Sequence, residues 1–466
     1  MSGWLDEYMV PGAAVALIEH GKVTLLTGYG FADVATQRRV TPDTIFNAGS
    51  ISKSVTAWGI MRLVDAGRAE LDAPVDTYLQ RWHVPVSAFD ARQVTLRRLM
   101  SHTAGISEHG YGGSDPAAPP ASVVDSLLGK TGTGEVRLIA APGAGFRYSG
   151  ANYRIVELAI EEISGEDYRT YMQARVLAPL RMTHSRFGLP TDRTVSMATP
   201  YDSLADPLPV LAYNDYSAAG LTTSVRDLAR FAAASLTGRP VLRTDTLRSM
   251  HAPAANTRWT DRDPLGPDPR YGLGYTVRPA QLDAHTGIGH GGSNSGWESL
   301  FQVIPDTGDG IVIMTNSSNG TAVISSVLCA WREWKAVAGK AVECLAVDAR
   351  VPLFAAYKRA GTAAVVEQYR KLRAEPAAKY EFSASQLNSM GYLLMRRGDA
   401  AGALSIFELN AATFPGDWNV HDSLGEVLLK AGDQTRAIES YRKSIELNPH
   451  NDNGRKVLRE LGEVVP

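Results

Sequence analysis

Apolar and polar positions follow two different periods along this chain. Residues 11–34 open with Pro11-Gly12, and two short apolar runs flank His20-Gly21-Lys22, which predicts a β-hairpin whose turn carries the glycine. Residues 51–67 carry apolar side chains at helical spacing and stop at Gly67, a helix with a glycine C-cap. A short helix over 95–100 is ended by Ser101-His102-Thr103-Ala104-Gly105, and 107–121, rich in Gly, Pro and Ser, reads as a surface loop. Helices follow over 152–164 and 166–178, separated by Gly165, and over 225–236, with Ser224 as N-cap and Asp227 at the third helical position. Residues 271–315 alternate strand-like runs with glycine turns, and 318–339 return to helix. Strands therefore open and close the region while helices fill its middle. The fold class is α+β: an antiparallel sheet whose first and last strands meet, flanked by helices, plus an all-helical region.

Beyond residue 350 the pattern is almost purely helical, and it repeats. Met390, Gly391, Leu394, Gly398, Ala403, Phe407 and Pro415 recur 34 residues later as Leu424, Gly425, Leu428, Gly432, Ala437, Tyr441 and Pro449. The small residues let paired helices approach, the aromatic fills the gap between them, and the proline ends the second helix. The segment resembles the tetratricopeptide repeat, whose period this is. Each repeat needs a neighbour over its apolar face, so 351–374 and 451–462 are expected to supply covering helices. The domains are thus 1–340 and 341–466.

Composition adds mostly exclusions. With 44% hydrophobic and 21% charged residues the chain is an ordinary globular one, and its net charge of −2 gives no field to draw it to nucleic acid or an acidic membrane. No apolar run approaches the roughly 18 residues of a membrane span. The ten histidines are scattered, with no metal-ligand spacing, so neither metal nor cofactor is expected. Cys329 and Cys344 read as two buried thiols, a short-range disulfide being the alternative. No secretion signal precedes the first strand, so the chain reads as cytoplasmic, or as periplasmic or secreted if a signal was removed.

The candidate chemistry begins at Ser50-Ile51-Ser52-Lys53. The serine starts a helix and the lysine lies three residues on, on the same face. A serine hydroxyl needs a proton acceptor to become a nucleophile, and a lysine serves only if burial or nearby positive charge lowers its pKa. The helix N-terminus adds free N–H groups beside Ser50 that can hold an oxyanion. Alone, Ser-x-x-Lys is commonplace. Tyr148-Ser149-Gly150 adds a phenol able to pass a proton. Gly289-His290-Gly291-Gly292-Ser293 adds a strand whose glycines let a ligand approach. His102 and His285 are assigned local packing roles.

In order and spacing these elements resemble the serine β-lactamase and penicillin-binding-protein superfamily, and most closely its class C-like branch of esterases, D-aminopeptidases and D-Ala-D-Ala carboxypeptidases. The phrases TPDTIFNAGSISKSVTA, VTLRRLMSHTAGI, FRYSGANY, SAAGLTTSVRDLARF and GHGGSNSGWESLFQVIPDTGDGIVIMTN carry the resemblance over residues 8–338. It implies a β-lactamase/transpeptidase-like fold with Ser50 as nucleophile, Lys53 as base and Tyr148 as second proton carrier. His290, also expected in catalysis, stands where many relatives have the lysine of a Lys-Thr-Gly motif. The oxyanion hole would be the backbone N–H groups of Ser50 and Ser293, and Gly291, Gly292, Trp297 and Asn152 are expected at the substrate. The triplet Glu408-Leu409-Asn410 also looks like a β-lactamase motif, but it falls inside the helical repeat.

Two departures shape the expected chemistry. Gly150 replaces the asparagine of a Tyr-x-Asn motif, removing an amide that holds the substrate amide, and a neutral His290 offers a substrate carboxylate no permanent cation. Both disfavour efficient β-lactam hydrolysis. The leading expectation is acyl transfer through an acyl-enzyme on Ser50 from a small ester, amide or peptide-like substrate, with hydrolysis as the default. The alternatives are a cytoplasmic transacylase of a biosynthetic pathway, a D-amino-acid peptidase or carboxypeptidase, and an inactive ligand-binding relative. The repeat would bind a protein partner, pair two subunits or buttress the catalytic domain.

Overall fold

The computed structural model describes all residues except 108–111, 191–196, 258–268, 283–284, 337–343, 345, 376–379 and 465–466. The expected loops 107–121 and 253–270, and the expected boundary at 340/341, lie partly or wholly outside the described residues. The chain divides into two compact units, Met1–Leu345 and Ala346–Pro466.

The first unit is built on an eight-stranded sheet. Its strands are β1 (Gly12–Glu19), β2 (Lys22–Asp33), β3 (Arg38–Arg39), β4 (Arg270–Tyr271), β5 (Thr276–Leu282), β6 (His285–Asn294), β7 (Trp297–Ile304) and β8 (Asp309–Thr315). They are ordered β3-β2-β1-β8-β7-β6-β5-β4. The first and last long strands meet, β1 pairing antiparallel with β8 from Ala13–Thr315 to Ile18–Gly310. The β1–β2 hairpin turns at His20-Gly21, both with positive φ, at 50° and 76°. β8 is buried on both faces, so its run Ile311-Val312-Ile313-Met314 shows no alternation.

The helices of the first unit include α1 (Ile51–Asp65), α2 (Leu96–Met100), α3 (Gly150–Ser164), α4 (Tyr216–Ala219), α5 (Val225–Ala234) and α6 (Gly320–Lys335). α5 packs on β1, β2, β7 and β8, and its N-cap is Ser224, whose hydroxyl accepts from Asp227 N. α6 packs on β5, β7 and β8, while α1, α3 and α4 pack on one another in the helical region. A small sheet of Ile45–Asn47, Leu221–Ser224 and Arg186–Phe187 lies at the approach to α1. The two cysteines are not separate buried thiols. Cys329 of α6 and Cys344 form a disulfide, with Cα atoms 5.4 Å apart, and both are only half-buried.

The second unit is helical: α7 (Arg350–Arg373, kinked at Ala360-Gly361), α8 (Ala384–Arg396), α9 (Ala400–Thr413), α10 (Trp418–Lys430), α11 (Gln434–Leu447) and α12 (Asp452–Glu460). The helix pairs close at the repeated glycines. A Cβ on Gly391 would come within 2.7 Å of the Phe407 ring, and one on Gly425 within 2.8 Å of the Tyr441 ring. α7 packs on α8 and α9, and α12 packs on α11, so both ends of the array are covered. Among the described residues, no helix is long and apolar enough to cross a membrane.

Candidate active site

Ser50 sits at the N-cap of α1, where the strand Ile45–Asn47 turns through Gly49 at φ 52°. Two side chains of the turn's surroundings hold it. Asn47 Oδ1 accepts from Gly49 N at 2.8 Å, and Ser52 Oγ donates to Gly49 O at 2.6 Å. One turn into the helix, Lys53 is 3% exposed. Its Nζ donates to Ser50 Oγ at 3.0 Å and to the Ala218 carbonyl at 2.8 Å. Burial brings the Lys53 ammonium down to about 7, Asp215 opposing the shift. The residue is therefore poised to exchange its proton near neutrality.

Tyr148 completes the group. Its hydroxyl shares a hydrogen bond with Ser50, and burial pushes its pKa well above the ordinary phenol value, so it is a neutral phenol. Its ring lies 4.9 Å from Lys53 Nζ and stacks at 4.3 Å on His102. His102, at φ 59°, holds the turn that carries Tyr148, its Nδ1 accepting from Ser149 N at 3.2 Å and from Asn152 Nδ2 at 3.0 Å.

The strand β6 forms the facing wall. A Cβ on Gly292 would lie 1.9 Å from Ala48 O, and one on Gly49 would lie 2.6 Å from Ser293 N. The two glycines thus bring the Ser293 peptide against the turn that presents Ser50. Ser299 Oγ, donating to Ala48 O at 2.9 Å, pins the same approach.

His290, Trp297 and Asn152 are placed differently from expectation. Tyr271 donates its hydroxyl to His290 Nε2 at 2.7 Å, and His290 Nδ1 donates to Gly291 O. Both imidazole nitrogens are thereby engaged, and burial brings the ring down to about 3, so it is neutral and carries no spare proton. Trp297 is 2% exposed and meets Phe46 edge-on, with ring centroids 6.1 Å apart, as a core side chain. Asn152 is 1% exposed inside α3, its Nδ2 donating to His102 Nδ1 and its Oδ1 buried without a hydrogen-bond partner. His285 pairs with Asp306 at 2.9 Å, away from this group.

Several contributors carry no sequence signal. The Ala218 carbonyl that fixes Lys53 belongs to the four-residue helix α4, and a buried charged cluster holds that helix. Glu157 accepts from Ser217 N at 3.1 Å, from Ser217 Oγ at 2.7 Å and from Arg154 Nη1 at 2.7 Å. Arg154 Nε lies 3.1 Å from Asp215, which also accepts from Ser126 Oγ at 3.0 Å. Tyr271, the partner of His290, carries no such signal either. Its position in the run Tyr271-Gly272-Leu273-Gly274-Tyr275 marked only a strand.

The arrangement supplies a hydroxyl, an amine ready to take its proton, a neutral phenol and a Ser293 peptide packed against the turn that carries Ser50, parts that acyl transfer can use. The chain is similar to known proteins. Residues 2–324 match the family model described as Beta-lactamase, and residues 418–451 match that described as Tetratricopeptide repeat. PbpX of Bacillus subtilis (strain 168), which carries a penicillin-binding-protein name, is 25% identical over 70% of this chain and 75% of its own. A protein of Aspergillus campestris named unguisins hydrolase ungD' is 27% identical over 69% of this chain and 62% of its own. The protein flp of Staphylococcus aureus (strain N315) is 26% identical, and the chain spans only 45% of its length. Among solved structures, the octameric penicillin-binding protein homologue from Pyrococcus abyssi is 26% identical with a TM-score of 0.60, covering 70% of this chain and 75% of that one.

Proposed function

The chain belongs to the beta-lactamase family, whose members include penicillin-binding-protein-like serine hydrolases, and on that premise we propose that it transfers acyl groups through an ester on Ser50. The observation that carries this reading is the 3.0 Å contact between Ser50 Oγ and the Lys53 amine poised at about 7.

In the proposed reaction neutral Lys53 accepts the Ser50 proton as Oγ attacks the carbonyl carbon of an ester or amide. The backbone N–H groups of Ser50 and Ser293 hold the resulting oxyanion. The proton passes from Lys53 through Tyr148 to the leaving oxygen or nitrogen. Tyr148 enters as a phenol, so it donates one proton and regains one from Lys53, never resting as a phenolate. Collapse of the tetrahedral species leaves an acyl-enzyme. Water or a second nucleophile then attacks it, with the same groups working in reverse. His290 takes no proton in this scheme; it shapes β6 through Tyr271 and Gly291.

The substrate is a neutral ester, amide or peptide-like molecule. A neutral His290 gives a substrate carboxylate no ion pair, and Gly150 gives its amide no side-chain partner, so β-lactams are poor substrates. The likeness to a protein named as a hydrolase of unguisins supports a natural product as one substrate class. The repeat unit would serve as a docking module for a protein partner or a second copy. The test is turnover of p-nitrophenyl butyrate with and without an added primary amine. Hydrolysis that ends at the free acid in both supports a hydrolase, and amide product supports a transacylase. Parental turnover by Ser50→Ala contradicts both.

A further inference from the structure

A second hydroxyl and carboxyl stand beside the proposed oxyanion hole, outside the proton path. Ser293 and Glu298 face each other directly across β6 and β7. Ser293 Oγ donates to Glu298 Oε1 at 2.7 Å. Thr321, in the first turn of α6, hydrogen-bonds the same carboxyl. The carboxyl therefore sits at the N-terminal end of a 16-residue helix. The helix end has no room to shift there, because a Cβ on Gly320 would come 2.7 Å from Glu298 Cβ and 1.9 Å from Thr315 Oγ1. Ser293 from β6 and Thr321 from α6 act on the carboxyl as hydroxyls, and Thr315 of β8 donates to the Glu298 backbone carbonyl at 3.1 Å. Desolvation raises the carboxyl to about 8.

The neighbouring residue is anchored on the other side of the strand. Asn294 Nδ2 donates to Asn47 Oδ1 at 2.6 Å and to Ala219 O at 3.2 Å, and Ser295 N donates to Tyr213 Oη at 3.1 Å. Successive strand residues point to opposite faces, so the two anchors hold residues 293 and 294 from both faces of the sheet, next to the Gly292–Ser293 peptide that carries the Ser293 N–H. An oxyanion donor works only when its N–H is held in place before the charge develops.

We propose that Glu298 is a positioning residue of the oxyanion hole: by holding the Ser293 hydroxyl it fixes the peptide that presents the Ser293 N–H to Ser50. This rests on the acyl-enzyme reading above. Loss of a whole oxyanion donor costs on the order of 100- to 1,000-fold in kcat, so loosening one is expected to cost about 10-fold.

The experiment uses the full chain carrying Glu298→Ala, Glu298→Gln, Ser293→Ala or the Ser293→Ala/Glu298→Ala pair. Readouts are kcat and KM for p-nitrophenyl butyrate, thermal unfolding, and affinity for phenylboronic acid. In that adduct the Ser50 oxygen bonds to boron as its proton goes to Lys53, mimicking the tetrahedral species. Glu298→Ala should lower kcat and boronate affinity each by about 10-fold, with KM within about twofold. Glu298→Gln, whose amide oxygen still accepts from Ser293, should recover most of the loss. The double variant should be no worse than either single one. Parental kcat and boronate affinity in Glu298→Ala would overturn the proposal. So would a loss that tracks a lowered unfolding temperature and is not recovered by Gln. A parent chain that forms no boronate adduct on Ser50 would instead overturn the acyl-enzyme reading, and the proposal with it.

Discussion

The Tyr271 hydroxyl closes off His290 by donating to its Nε2 at 2.7 Å. With Nδ1 on the Gly291 carbonyl, the imidazole is a neutral spacer at the position where many relatives carry a cation. His290 titrates near 3, far below the working range, so the pH profile of the enzyme should not depend on it. His290→Gln is expected to leave the shape of kcat/KM against pH unchanged between about pH 5 and 9. Tyr271→Phe leaves a buried acceptor unmatched and should cost about 1–3 kcal/mol in urea unfolding.

The pH profile belongs instead to Lys53. Its neutral form is the competent one, and its ammonium is held down at about 7 by burial. kcat/KM should therefore be low in acid and rise through about pH 7 with the loss of one proton. Asp215 is the charge that opposes the shift, so Asp215→Asn should move the rise to lower pH. Steady-state kinetics in overlapping buffers reads both.

Lys53 also costs the fold stability. Its folded pKa lies below the ordinary 10.5, so between about pH 7 and 10.5 the unfolded chain binds the extra proton and stability rises with pH. Lys53→Met should abolish turnover yet unfold later, by roughly 1–3 kcal/mol at pH 7. The gain should fade as pH approaches 10. Chemical denaturation of the two proteins across that range measures it.

Trp297 is a core residue against Phe46, and its substitutions should behave accordingly. Trp297→Ala is expected to lose about 3–5 kcal/mol of stability. Trp297→Phe should keep KM for a series of acyl chain lengths unchanged, which a pocket-lining residue would not. Unfolding curves alongside that series separate the two roles.

The same residue shows where the sequence ceased to be readable. Trp297 adjoins the Gly-Gly strand motif in the chain, but residues on either side of the β6–β7 turn alternate between faces, and proximity in sequence does not choose the face. Ser50 and Lys53 were legible because helical spacing alone puts them together. The repeat was legible because seven positions at one offset leave a trace that no loop can erase. The Ala218 carbonyl was not legible, since a backbone contact selects no residue type. Nor was the small sheet that joins Ile45–Asn47 to Leu221–Ser224, because its partners lie far apart in the chain and each is too short to show a period. The Cys329–Cys344 disulfide is not legible either, because a spacing of 15 residues fits two free thiols as well as a pair.

In the proposed reaction Ser50 carries the acyl group. The most direct measurement is intact mass and peptide mapping after treatment with a fluorophosphonate. One adduct per chain is expected, on Ser50, with none on Ser50→Ala and a strongly slowed reaction in Lys53→Met. An adduct on another residue, or equal labelling of Ser50→Ala, would contradict it.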